Sequence, residues 1–129
     1  LKTERFICYI LNEYMNTLKG EKRQFARIKL PCQITITASK TLIYGYTEDI
    51  GAGGVRVVIH KKLTNHSLVN LEIYAVKNHP IICKGKVVWV EQKELLYKNN
   101  SLFEVGIKFW QIKKEDKKAI QSLIKCIDT

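Results

Sequence analysis

Glu48-Asp49-Ile50-Gly51-Ala52-Gly53-Gly54-Val55-Arg56 gathers backbone freedom, a carboxylate and an arginine into one short stretch. Apolar residues alternate with polar ones from Gln33 to Tyr46 before it and from Val55 to Ile59 after it. A period of two is the signature of strands with one buried face, so the stretch reads as a tight connection between two strands. Three of the chain's seven glycines fall within four positions here. Glycine accepts positive φ and lets a backbone come close to a partner, and Asp49 places an acceptor beside it.

Outward from this connection the same pattern recurs. Cys32 to Ala38 alternates and is rich in β-branched residues, as is Leu42 to Thr47 after a polar turn at Ser39-Lys40. Val55 to Ile59 follows, then Leu68 to Val76, Ile81 to Glu91 and Leu102 to Trp110. Gly85 and Gly106 lie inside the last two runs, where a bend or bulge lets a sheet close. From Lys113 the spacing becomes helical, with Ala119, Ile120, Leu123, Ile124 and Ile127 on one stripe. At the other end Phe6, Ile7, Ile10, Leu11, Tyr14 and Leu18 have one-face helical spacing, with Thr3 as N-cap and Gly20 as stop. The expected architecture is mainly β: a six-stranded antiparallel β-barrel with an N-terminal and a C-terminal helix. Residues 1–20 are expected to form the amphipathic helix or the end of an upstream segment, and residues 21–129 the barrel domain.

Length and composition bound the functional classes. A chain of 129 residues with 46% hydrophobic and 26% charged residues suits one globular domain. No apolar run approaches the roughly 18 residues of a membrane span. The N-terminus lacks the apolar core and cleavage site of a secretion signal. Cys8, Cys32, Cys83 and Cys126 show no paired spacing, so they read as reduced, mostly buried thiols in a cytoplasmic protein. The net charge of +10 favours anionic partners, but 18 of the 22 basic residues are lysines spread along the chain. That distribution fits a solvated surface better than a nucleic-acid stripe.

No phosphate-loop, zinc-protease, nucleophile-elbow or paired-cysteine zinc pattern is present, and His60, His66 and His79 share no metal-ligand spacing. Adjacent strand residues point to opposite faces, so Glu48 and Asp49 are not expected to act as a carboxylate pair. Neither an enzyme, a cofactor nor a metal is expected.

The remaining informative feature is Arg23-x-x-x-Arg27, which holds half of the chain's four arginines. Two forked, permanently charged donors at this spacing suit phosphates or the O6/N7 edge of guanine. Pro31 biases Leu30 away from helical dihedrals, so this segment is either a helical turn ending before it or an irregular lead-in to the first strand.

Arg23-x-x-x-Arg27 followed by Asp49-x-Gly51-x-x-Gly54 resembles the PilZ domain, the bacterial receptor for the second messenger cyclic di-GMP. The family pattern is R-x-x-x-R and then D/N-x-S-x-x-G. Gly85-Lys86-Val87-Val88-Trp89-Val90 and Phe103 to Phe109 resemble two further strands of that family. The resemblance implies a nucleotide-binding signalling domain that changes conformation or partner contacts when cyclic di-GMP binds. By it, Arg23 and Arg27 grip phosphate and guanine, Asp49 accepts from guanine N–H donors, and Gly54 admits the ligand to the backbone. Lys22 occupies a position that in the family influences ligand stoichiometry. Arg56 is placed to reach a phosphate. Trp89 either stacks on a base or, the favoured reading, packs in the barrel core. Gly51 stands where the family has serine, and one lost hydrogen bond costs roughly 0.5–1.5 kcal/mol, up to about tenfold in affinity.

The implied partners are cyclic di-GMP and a protein partner or upstream domain. Two other readings remain: a degenerate PilZ module acting as a protein–protein adaptor without nucleotide, and a basic nucleic-acid binder motivated only by charge.

Overall fold

The computed structural model describes residues 27–75, 78–93 and 101–126. The helix expected over the N-terminal residues, Lys22 and Arg23 lie outside the described residues, as do Val76 and Ile127. Seven strands and one helix follow in order: β1 (Arg27–Ile28), β2 (Gln33–Ala38), β3 (Thr41–Gly51), β4 (Gly54–Ile59), β5 (Leu68–Ile73), β6 (Ile81–Lys93), β7 (Leu102–Gln111) and α1 (Lys114–Lys125).

All pairings are antiparallel. The order β3-β2-β5-β6-β7-β4 closes through β4 back onto β3, giving the expected six-stranded barrel. Closure leaves no long unpaired edge among these strands. The short β1 is an addition: Arg27 and Ile28 pair with Gly51 and Ile50 of β3, so this end of the arginine segment is extended. The turn at Ser39-Lys40 has φ of 46° and 70°, two left-handed residues in a row, the geometry that matches the twist of a two-residue hairpin.

Alternate residues of each strand point inward. Ile34, Ile36, Val57, Ile59, Leu71, Ile73, Ile81, Val87 and Ile107 are essentially inaccessible, each worth about 1.5–3 kcal/mol of burial. Helix α1 adds Ile120, Leu123 and Ile124 to this core. It has no side-chain N-cap, but Glu115 and Asp116 occupy its first turn, where negative charge favours the helix dipole. Asp116 is buried and lies 3.2 Å from Nε2 of His79, tying the helix to the turn before β6.

Strand β3 is longer than alternation indicates. It runs on through Glu48 and Asp49 to Gly51, with one register irregularity between Thr47 and Asp49. Thr47 pairs with Val57 and Asp49 with Arg56, which leaves Glu48 as the extra residue of a bulge. A second irregularity, between Val87 and Trp89, makes Val88 the extra residue of β6. These two bulges position the site described next.

Candidate functional site

A bulge shifts the phase of a strand by one residue, and the bulge in β3 turns two adjacent carboxylates toward one guanidinium. Nε of Arg56 lies 2.9 Å from Oδ2 of Asp49 and 3.2 Å from Oε2 of Glu48. The expectation that Glu48 and Asp49 face opposite sides is therefore corrected. Their shared neighbour is a cation, the guanidinium of Arg56.

Asp49 is only 5% exposed although it sits on the outward face of the barrel. The register accounts for its cover. Gly51, two residues on and on the same face, lies opposite Arg27, and Nη1 of Arg27 reaches Oδ1 of Asp49 at 3.5 Å. Arg56 sits opposite Asp49 on β4, and Gly106 sits opposite Arg56 on β7. Arg56 in turn donates from Nη1 to Oε1 of Glu104 at 3.2 Å, and Lys93 lies 3.1 Å from Oε2 of the same carboxylate. This contact with Glu104 is the main cause that raises the Lys93 pKa. Nε of Arg56 is buried and has no hydrogen-bond partner, because its near carboxylates lie off its N–H direction. Its charge is nevertheless compensated by the two carboxylates at 2.9 and 3.2 Å.

Trp89 completes the row, and its place corrects the core assignment. It pairs with Gly106 on the outward side and is 36% exposed. A Cβ at position 106 would stand 2.1 Å from Nε1 of Trp89, so the indole rests on the bare backbone of Gly106. Asp49, Arg56, Gly106 and Trp89 thus form one lateral row across β3, β4, β7 and β6. Arg27 and Gly51 flank one end of this row. Gly54 has a separate reason to be glycine: a Cβ there would meet the carbonyl oxygen of Ile107 at 2.4 Å. The turn before it is fixed to β7 by Phe109 N–H donating to the Gly53 carbonyl at 2.9 Å.

Three residues of this neighbourhood escape sequence reasoning. Glu104 lies in an apolar run and only the fold brings Arg56 and Lys93 onto it. Lys93 is one lysine among many until β6 carries it there. Thr47 faces inward, where its hydroxyl accepts from Cys32 N–H at 3.0 Å and donates to the Leu30 carbonyl. That hydroxyl pins the segment leading out of β1 and so holds Arg27 over Asp49. The nearby thiol of Cys32 is pushed up in pKa by burial. Among the described residues no group of side chains could hold a metal ion, and no helix is long and apolar enough to cross a membrane.

The family model described as PilZ domain matches residues 21–126. A search of curated proteins finds no match. Among solved structures, the chain is similar to the inhibitor of motility MotI/DgrA of Bacillus subtilis, at 20% identity and TM-score 0.67 over 81% of this chain and 51% of that one. The PilZ domain of YcgR from Escherichia coli, solved with c-di-GMP, matches at 11% identity and TM-score 0.67 over 84% of this chain and 92% of that one. The PlzA protein of Borreliella burgdorferi in complex with c-di-GMP matches at 10% identity and TM-score 0.62 over 95% and 56%. The chain spans about half the length of the first and third of these proteins. At such identities the likeness is one of fold.

Proposed function

The chain belongs to the PilZ domain family, and from that premise we propose that it is a non-enzymatic receptor whose Arg27–Asp49–Arg56–Trp89 face binds cyclic di-GMP. One observation supports this above the others: four of the residues that match the family motifs or flank them lie side by side on one outward face, although they come from four different strands. The solved relatives YcgR and PlzA carry the same nucleotide in their structures.

The chemistry of the face suits that ligand. Asp49 offers a fixed carboxylate to guanine N–H donors. The guanidinium of Arg27, half-buried and held at 3.5 Å by a long contact, can be exchanged from Asp49 to a phosphate or a guanine edge. The exposed face of Trp89 is a platform for a base. Arg56 reaches a phosphate through the guanidinium edge that Glu104 leaves free. Arg27, Arg56 and Lys93 stand here against Glu48, Asp49, Glu91 and Glu104, so the described groups alone carry no positive excess. Lys22 and Arg23, just ahead of Arg27, supply the cations that two phosphates need. Binding would then order the segment from Lys22 to Arg27 against the barrel and alter its contacts with a partner or an upstream domain.

Calorimetric titration of the wild type with cyclic di-GMP tests this. Micromolar or tighter binding, lost in Arg23→Ala and Asp49→Ala, is the expected result; no micromolar binding by the wild type overturns it. Gly51→Ser restores the family's hydroxyl and is expected to tighten binding by up to about tenfold. The alternative, an adaptor without nucleotide, draws on Asp49 being already occupied by Arg27 and Arg56 and on Gly51. It predicts partner binding that survives neutralisation of both Arg23 and Arg27.

A further inference from the structure

Strand β3 carries a second outward surface, on the other side of the Glu48 bulge. Leu42, Tyr44 and Tyr46 point outward there, and the two tyrosines are 71% and 59% exposed. Tyr44 pairs with Thr35 and Tyr46 with Gln33 on β2. With Tyr74, Val58, His60 and Leu102 the tyrosines line a groove of about 670 Å³. Among the described residues lining it, His60 and the phenols are the only ionisable groups, and at its edge the Tyr74 hydroxyl donates to Glu72 at 2.7 Å, so the groove itself is mainly apolar and aromatic. Exposed aromatic rings clustered around an apolar groove are the surface an amphipathic helix covers, its apolar side chains against the rings and the phenolic hydroxyls left at the wet rim.

We propose that this groove is the seat of the chain's own N-terminal segment, with the apolar stripe expected over residues 6–18 laid against Tyr44 and Tyr46. The path of the chain supports this occupant. Strand β1 is antiparallel to β3 and starts opposite Gly51, so the groove is within reach of the preceding residues if they reverse along the outer side of β3. Tyr46 lies five residues before Gly51, about 17 Å at 3.4 Å per strand residue. The six residues from Glu21 to Ala26 span at most about 20 Å, enough to bring Gly20 to the groove with little slack. From Phe6 to Leu18 a helix is about 18 Å long, comparable with the outer edge of β3 from Leu42 to Tyr46 at about 14 Å. Seating the segment needs no nucleotide, so this inference stands or falls separately from the receptor reading.

The test uses the full chain without nucleotide. Tyr44→p-benzoylphenylalanine places a photoreactive ring on the groove at an exposed position. Irradiation is expected to cross-link residues 6–18 of the same chain, at monomer mass. Adding Ile10→Asp, outside the barrel, is expected to lower the yield about tenfold, the equivalent of losing one buried aliphatic side chain, with the melting temperature of the barrel unchanged. Cross-links to a second copy at dimer mass, no cross-link to residues 6–18, or a yield that Ile10→Asp leaves unaltered would each overturn the proposal.

Discussion

The two halves of β3 invert the usual rule of burial. From Thr41 to Tyr46 its outward side chains are aromatic or aliphatic and exposed, Tyr44 at 71%; after the bulge its outward carboxylate, Asp49, is 5% exposed. Charged groups are rarely buried unless paired, and large apolar groups are rarely left clustered in water. The difference lies in what the neighbouring strands bring. Beside Asp49 stand Arg27 and Arg56, so the carboxylate is neutralised in place. Beside Tyr44 stands Thr35, which has neither bulk nor charge to cover a ring. One half is thus complete within the barrel but polar, with ion pairs that a ligand could exchange; the other is apolar and has no cover among the described residues.

The largest expected effect breaks the first half. Asp49→Ala leaves Arg56 between Glu48 and Glu104 with its buried Nε still unsatisfied and removes the acceptor proposed for guanine. We expect nucleotide affinity to fall by about 100-fold, near 3 kcal/mol for a charged hydrogen-bond partner. The cost to folding is smaller, about 1 kcal/mol, because both arginines are about a third exposed and water screens what remains. Titration and urea melts of the same variant separate the two numbers.

Thr47→Val comes next, since it removes an acceptor at the junction of the halves while keeping the shape. Cys32 N–H then has no partner in a buried setting, and about 2 kcal/mol of stability should be lost in a denaturant melt. Because Thr47 also holds the Leu30 carbonyl, Arg27 should lose its fixed position over Asp49. Nucleotide affinity is expected to fall together with stability, which a purely local packing defect would not produce.

Why the sequence tells these halves apart only in part comes down to the bulges. Alternation located every barrel strand, because Ile34, Ile36, Val55, Val57, Ile59 and their counterparts keep strict phase. It ended the strand before Glu48, since the glycine-rich stretch that starts there reads as a connection; the extra residue lets both acids face outward while Ile50 returns to the core at 0% exposure. The same device hides Trp89. With Ile81, Cys83 and Val87 inward, a period of two puts residue 89 inside, but the extra Val88 reverses the phase and Val90 takes the inner place. Arg27, Asp49 and Gly51 were legible as a motif because their spacing is carried by the chain. Glu104 and Lys93 were not, because their only link to Arg56 is lateral pairing across β7 and β6.

A smaller effect sharpens the role of Trp89. In Gly106→Ala the new methyl occupies the space of the indole, which lies at the surface and can swing away. Folding should weaken by about 1 kcal/mol, and tryptophan emission should shift to the red. If the row Asp49–Arg56–Gly106–Trp89 acts as one face, Gly106→Ala and Trp89→Ala should each lower nucleotide affinity by a similar amount, about 1–3 kcal/mol for a lost stacking contact. The double variant should then lose little more than either alone, because the two substitutions remove the same contact. Additive losses would mean that Gly106 acts on the site by a route other than the indole, and an unchanged affinity in Trp89→Ala would mean that the indole does not touch the ligand.

The smallest expected effect belongs to the apolar half. Tyr44→Ser takes away an exposed ring whose partner on β2 is a threonine, so within the barrel it should change stability by no more than about 0.5 kcal/mol. If residues 6–18 sit on that ring, the consequence appears elsewhere: amide exchange over residues 6–18 should quicken in the full chain while β4 to β7 stay protected. A loss of barrel stability as large as that of Thr47→Val would place Tyr44 in the barrel's own packing, and the contrast between the two halves of β3 would disappear.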